Sequence, residues 1–223
     1  MPTLPPRFEE YRRAEVVASY DRRFQGAGAR RNRRKARALL RALELLAQRA
    51  DGPLQAILDV PCGNGRFTAL LENVGYRYCG ADLSSSMLRV ARERHAGASF
   101  VAADLARLPF ADRAFDAAVC IRFLHLVRDP VLRVAFLAEL RRVARAGVVL
   151  DYRHDRTLRV WGRRLRHRLG LLSRPPANPS PTRIQEEVES AGLRYAAHVA
   201  VHPAPLLSDK LLVVALSPTT PTP

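Results

Sequence analysis

Apolar residues along this chain recur in two rhythms, and the alternation between them lays out the elements. Between residues 56 and 216, short apolar runs of strand length are separated by stretches whose apolar positions fall three and four apart. The runs predict strands over 56–61, 76–82, 99–103, 115–122, 147–152, 194–201 and 210–216, and the stretches predict helices over 64–73, 85–94, 130–144 and 182–191. Such alternation predicts an α/β domain, a parallel sheet with helices on both faces. Ser180-Pro181 predicts an N-cap followed by proline at the first helical position, and Gly192 predicts the helix end. Upstream, 8–25 and 30–50 read as helices, the second carrying Leu39, Leu40, Leu43 and Leu46 behind a basic start before Asp51-Gly52-Pro53 breaks it. The domain organisation that follows is a helical cap over 1–50, one domain over 51–217 and a disordered tail over 218–223. The segment 153–175 reads as a basic helical insertion: Leu158, Trp161, Leu165, Leu169 and Leu172 fall on one helix face, and Arg156, Arg159, Arg163, Arg164, Arg166 and Arg168 cover much of the rest. Three readings suit it: a solvated helix with its stripe on the core, a lid over a substrate, or a helix lying on an anionic membrane.

The chemistry sits where two of those runs end. Ala56-Ile57-Leu58-Asp59 is an apolar run closed by an acid, and Val60-Pro61-Cys62-Gly63-Asn64-Gly65 after it is a tight turn. Gly63 and Gly65 lack a Cβ, so the turn can take unusual angles and a ligand can come close. A helix opening at about Asn64 would aim free N–H groups at that ligand. A second acid, Asp82, closes the run Tyr76-Arg77-Tyr78-Cys79-Gly80-Ala81. A carboxylate just before the turn suits a cation better than a pyrophosphate, and the third glycine of the dinucleotide fingerprint is replaced by Thr68.

Asp59-Val60-Pro61-Cys62-Gly63-Asn64-Gly65 resembles the D-x-G-x-G-x-G signature of the class I S-adenosylmethionine methyltransferases, with Pro61 at the first glycine. Phe100-Val101-Ala102-Ala103-Asp104-Leu105 is similar to the family's third strand, and Phe115 to Arg122 followed by Leu124-His125-Leu126 to its fourth strand and the tail after it. The resemblance covers about residues 50–155 and is nearest to the small-molecule group that includes ubiquinone and menaquinone C-methyltransferases. It implies a Rossmann-like, doubly wound, seven-stranded sheet whose last strand is antiparallel. It implies S-adenosylmethionine as cofactor, held by Asp59, Pro61, Cys62, Gly63 and Gly65 at the methionine end, by Asp82 at the ribose, and by Leu83, Met87, Asp104 and Leu105 around the adenine. Arg122 and His125 lie just past the fourth strand, beside the expected point of methyl transfer, as candidates for substrate binding and proton transfer. Tyr20, Tyr152 and Trp161 are candidates to face the substrate.

Composition changes the picture in two places. The formal charge is +16, nearly all of it from arginine, since Lys35 and Lys210 are the only lysines. A basic chain attracts nucleic acid, anionic lipid or acidic substrates, so an RNA-directed methyltransferase using the arginine face stays open beside a small-molecule enzyme, as does a non-catalytic nucleotide-binding protein. The segment Ile121-Arg122-Phe123-Leu124 lacks the N/D-P-P-Y/F of amino-directed nucleic-acid enzymes, which favours the small acceptor. Cys62, Cys79 and Cys120 form no C-x-x-C pair and show no ligand spacing, so reduced thiols, no metal and a cytoplasmic protein are expected. No apolar run reaches the length of a membrane span.

Overall fold

The computed structural model describes residues 27–50 and 52–218. Tyr20, the expected 8–25 helix and the end of the tail lie outside the described residues. The elements in chain order are α1 (Ala27–Ala47), β1 (Ala56–Asp59), α2 (Thr68–Asn73), β2 (Arg77–Asp82), α3 (Ser85–Arg94), β3 (Ser99–Ala102), β4 (Phe115–Cys120), α4 (Pro130–Val143), β5 (Ala144–Arg153), α5 (Leu158–Arg168), α6 (Pro181–Ser190), β6 (Arg194–Ala200) and β7 (Lys210–Leu216). Short 3-10 turns occupy Leu124–Leu126 and Pro205–Leu207.

The strands form one seven-stranded sheet in the order β3-β2-β1-β4-β5-β7-β6. Every neighbouring pair from β3 to β5 is parallel, and β7 runs antiparallel to both β5 and β6. The alternation of side chains along each strand decides which residues meet which helices. Leu58, Ala118, Cys120, Val148, Leu150 and Val213 point to the face covered by α4 and α6, where Phe136, Leu137, Leu140, Ile184 and Val188 are buried. Ile57, Ala117, Val119, Val149, Leu212 and Val214 point to the other face, against Leu39, Leu43 and Leu46 of α1, Leu71 of α2 and Leu88 of α3. The heptad-like spacing of the α1 leucines is therefore the spacing of a helix lying along β5, β6 and β7.

The helix starts are set by side chains that accept orphan backbone N–H groups. Ser84 caps Met87, Asp129 caps Val131 with Pro130 next, Thr157 caps Val160, and Ser180 caps Arg183 with Pro181 next. Besides shifts of two or three residues at the ends of α1, β1 and β4, three departures from expectation bear on the site. Residues 61–67 turn without forming a helix, so α2 opens at Thr68 and no helix N-terminus sits at Asn64. β5 starts at Ala144, directly from the end of α4. The 153–175 insertion is helical only over Leu158–Arg168, and its stripe does not lie on the core: Val160 is the buried residue of α5, while Leu158, Trp161, Leu165 and Leu169 are exposed.

Candidate functional site

Sheet order reverses between β1 and β4, so helices leave those neighbouring strands on opposite sides and a cleft opens past their carboxyl ends. The loop after β1 is pinned there by main-chain bonds on both sides: the Val60 amide donates to the Val119 carbonyl at 2.9 Å and the Cys62 amide to the Ala81 carbonyl at 2.8 Å. Asp59, Asp82 and Asp104 all line this cleft, from the ends of β1 and β2 and from just beyond β3.

Asp82 is nine-tenths buried, and each of its oxygens accepts one backbone N–H. Oδ2 takes the Gly63 amide at 2.8 Å and Oδ1 the Ser84 amide at 2.8 Å. Burial pushes its carboxyl above the ordinary carboxylate range, and the backbone amides of Ser84, Gly63 and Leu83 hold it back. Gly63 sits at φ +59, a conformation that turns its amide toward Asp82 and that L side chains rarely adopt. Asp59 is 1% exposed. Its Oδ2 accepts the Tyr78 hydroxyl at 3.2 Å, and its Oδ1 is buried with no hydrogen-bond partner. Burial pushes the Asp59 carboxyl up to about 7, opposed by the Tyr78 hydroxyl and reinforced by the charge of Asp82. A buried carboxylate oxygen with no donor is costly to ionise, and a cationic ligand in the cleft would remove that cost.

Pro61, Cys62, Leu83, Met87 and Leu105 line the same cleft and make its walls largely apolar. The Cys62 thiol lies against the Gly63 carbonyl at 3.6 Å, and burial beside Asp59 and Asp82 pushes its pKa far up, so it is not a nucleophile. Asp104 closes a local turn, its Oδ1 accepting the Ala106 amide at 2.9 Å. Arg122 and His125 form the far wall. Arg122 has φ +66, uncommon for a residue with a side chain, and its amide donates to Asp151 Oδ2 at 3.0 Å. The His125 Nδ1 is buried without a partner. Burial and then the charge of Arg153 lower its pKa to about 4, against the pull of Asp151, so the imidazole is neutral at physiological pH.

Several residues singled out in the sequence fall elsewhere. Gly65, at φ +76, faces α3: a Cβ there would meet the His95 ring at 2.8 Å, so it shapes the turn without lining the cleft. Tyr152 points to the α4 and α6 face, 2% exposed, and its hydroxyl donates to Glu187 Oε2 at 3.1 Å; it is a core residue. Trp161 is exposed on α5, which packs near the 205–207 turn and lines no part of the cleft, so a lid role for that helix is not supported. Sequence reasoning passed over Arg66, Phe67, Ser84, Ile121 and Phe123, which also line the cleft. Arg66 and Phe67 directly follow the glycine turn, and Ile121 and Phe123 flank Arg122, so adjacency to a site motif was the available signal.

Residues 57–147 match the model of a methyltransferase domain family. The chain is 35% identical over 105 residues to a demethylmenaquinone methyltransferase of Renibacterium salmoninarum, covering 46% of this chain and 43% of that one. It is 36% identical over 106 residues to a malonyl-[acyl-carrier protein] O-methyltransferase of Serratia marcescens, covering 48% and 40%. The matched region thus spans less than half the length of these two relatives. Among solved structures, magnesium protoporphyrin IX methyltransferase from Synechocystis PCC 6803 with bound S-adenosylmethionine superposes with a TM-score of 0.66 at 15% identity, covering 98% of this chain and 100% of that one, a likeness of fold. With the signature loop, the two acidic strand ends and the strand order in place, residues 57–147 are similar to a methyltransferase domain, and the fold is like that of the S-adenosylmethionine-bound enzyme.

Proposed function

We propose that this protein transfers a methyl group from S-adenosylmethionine to a small-molecule acceptor by in-line displacement. One observation carries the reading: the carboxylates of Asp59 and Asp82, at the tips of adjacent strands, line a single apolar-walled cleft, and Asp59 keeps a buried oxygen without a donor. That donor set fits a ligand with a cationic end and a hydroxyl-bearing sugar. In this reading Asp59 and the Pro61-Cys62-Gly63 turn hold the cationic methionine end. Asp82 uses the lone pairs left over from Gly63 and Ser84 to accept ribose hydroxyls. Leu83, Met87 and Leu105 enclose the adenine, with Asp104 at its amino edge.

The bound sulfonium supplies an already activated methyl group. The chain's own task is to place the acceptor and exclude water, which in favourable cases is worth on the order of 7–11 kcal/mol. Arg122 and His125, on the cleft wall past β4, are the groups for that task. Neutral His125 can take a proton from an acceptor that must lose one, though its lowered pKa makes it a weak base, so positioning carries most of the effect. The relatives' names, a demethylated quinone and a carrier-bound malonyl group, are small-molecule or acyl acceptors and support that class.

Calorimetry with S-adenosylmethionine and S-adenosylhomocysteine tests the cofactor assignment. Asp82→Ala removes hydrogen bonds to the ribose and should weaken binding by about 1–3 kcal/mol, roughly 5- to 150-fold. Unchanged affinity would break it.

A second reading concerns α5. Its exposed Leu158, Trp161 and Leu165 form one stripe, and at 100° per residue Arg159 and Arg166 flank it on one side and Arg168 on the other. Apolar residues bordered by arginines complement an anionic bilayer surface. We propose that α5 rests on such a surface. Co-sedimentation with phosphatidylglycerol vesicles is the test, and the protein staying in the supernatant would refute it.

A further inference from the structure

Beside the cofactor cleft lies a second recess, of about 370 Å³, with very different walls. Arg66, Arg122 and His125 line both, so they form the partition between the two. The remaining wall comes from three elements that converge at the same end of the sheet. α1 contributes Arg31, Asn32 and Lys35, the end of β5 contributes Asp151 and Arg153, and the start of β7 contributes Lys210, which is in register with Arg153. Asp151 and Arg153 share the parity of Val149, which places them on the α1 face of the sheet.

The charge in this recess is one-sided. Among the described residues, Arg31, Lys35, Arg153 and Lys210 face one carboxylate, Asp151, while Arg66 and Arg122 on the partition are engaged in interactions of their own. Asp151 is itself committed: it pairs with the buried Lys35 ammonium and accepts the Arg122 amide at 3.0 Å. Arg122 is held in the left-handed region at that bond, a strained conformation of the kind that clusters at functional sites. Burial lowers the pKa of Lys35 and of Lys210, and in both cases neighbouring cations lower it further. Like charges gathered in a partly buried recess repel one another unless an anion is there to meet them.

We infer that this recess is the acceptor's anion site: it binds an oxyanion, carboxylate or phosphate, on the molecule to be methylated, and so places the rest of that molecule across the Arg66–Arg122–His125 partition, facing the cofactor cleft. The inference rests on the cofactor reading for the acceptor's orientation, but the anion site stands on its own residues. It assigns Lys210, Arg153 and Arg31 to substrate binding, a role none of them shows in sequence. It also narrows the acceptor from any small molecule to an anionic one.

The test is calorimetry on the full chain with S-adenosylhomocysteine and, separately, with two probes, inorganic pyrophosphate and tricarballylate. At least one probe should bind with a dissociation constant below a millimolar, and the preferred probe tells phosphate from carboxylate. Lys210→Gln and Arg153→Gln should each weaken that probe tenfold or more while leaving S-adenosylhomocysteine affinity within about twofold, which also reports that the variants fold. Arg31, exposed near the start of α1, provides a variant, Arg31→Gln, that spares the core; it should weaken the probe several-fold. Arg159→Ser with Arg166→Ser, on the exposed helix, should leave the probe unchanged. Failure of both probes to bind overturns the anion site, and so does equal weakening by the exposed pair, which would mean diffuse attraction to a basic surface. If the nucleoside ligand fails to bind while a probe binds and responds to Lys210, the cofactor reading falls and the anion site survives.

Discussion

Asp59 carries a measurable signature at the scale of a single residue. Its carboxyl titrates near 7 in the fold against an ordinary value of 3.8, so the native state holds this proton more tightly than the unfolded chain does. The contribution is fully present below about pH 4, and stability falls as pH rises from there to about 7. Asp59→Asn removes that slope. In urea titrations without cofactor, the variant should gain on the native protein across pH 4 to 8, by at most on the order of 4 kcal/mol at the top of the range. Cofactor affinity should move the other way, tightening in the native protein as Asp59 ionises through pH 7 and staying flat in Asp59→Asn. Parallel pH curves for the two proteins would show that Asp59 carries neither effect. Asp59 and Asp82 were legible in sequence because an acid closing an apolar run is costly without a partner. Tyr152 was not: neighbouring residues on a strand face opposite ways, and only the packed helices reveal that Asp151 and Arg153 open toward the recess while Tyr152 turns into the core. Nor does any sequence signal mark Arg122 for a positive φ, since its bond to Asp151 joins residues far apart in the chain.

At the scale of elements, the ties between α4 and α6 run through a buried ion pair. Arg133 of α4 donates from Nε to Glu187 Oε2 of α6 at 2.8 Å, its Nη2 bonds Glu187 Oε1, and its Nη1 reaches the Val127 carbonyl at 2.7 Å. Both side chains are at most a tenth exposed. Removing one partner of such a pair strands the other, so Glu187→Gln should cost about 3–5 kcal/mol in chemical denaturation, with cofactor affinity preserved in the folded fraction. A loss under 1 kcal/mol would mean the guanidinium finds another partner. α5 gives the complementary case. Arg159, Arg166 and Arg168 changed together to Ser should leave turnover unaltered, because α5 lines neither the cleft nor the recess. At about 1 kcal/mol per arginine near an anionic surface, the same change should weaken vesicle binding by roughly 100-fold. Turnover that falls in the absence of lipid would restore the lid. Strands and helices were readable from the rhythm of apolar residues, and the start of α6 from Ser180-Pro181; β7 matches its apolar run from end to end. The start of α2 was not, because Gly63 and Gly65 hold the chain in turns until Thr68. The face of α5 was not either: an amphipathic pattern specifies that a stripe exists, not that the fold has a surface to cover it.

For the whole molecule the question is what a charge of +16 does. Among the described residues many arginines lie on the surface, some in exposed pairs such as Arg89–Glu93 and Arg183–Glu186 that contribute little. An excess spread in this way attracts any polyanion without reading it, and the attraction is dominated by counterion release. The cofactor cleft works differently, since the carboxylates of Asp59 and Asp82 are buried and screened much less by salt. The two sites should therefore separate on a salt titration. Binding of a 20-nucleotide single-stranded RNA should fall by about 300-fold or more between 50 and 200 mM salt, the loss expected for six or more phosphate contacts. S-adenosylhomocysteine affinity should change by less than about threefold over the same range. A labelled-methyl assay at 200 mM salt should then place label in the metabolite or lipid fraction of an extract and leave the RNA fraction blank. Label that stayed in RNA, with RNA affinity holding at 200 mM, would mean that the arginine surface reads a specific nucleic acid, and the small-molecule assignment would have to give way to it.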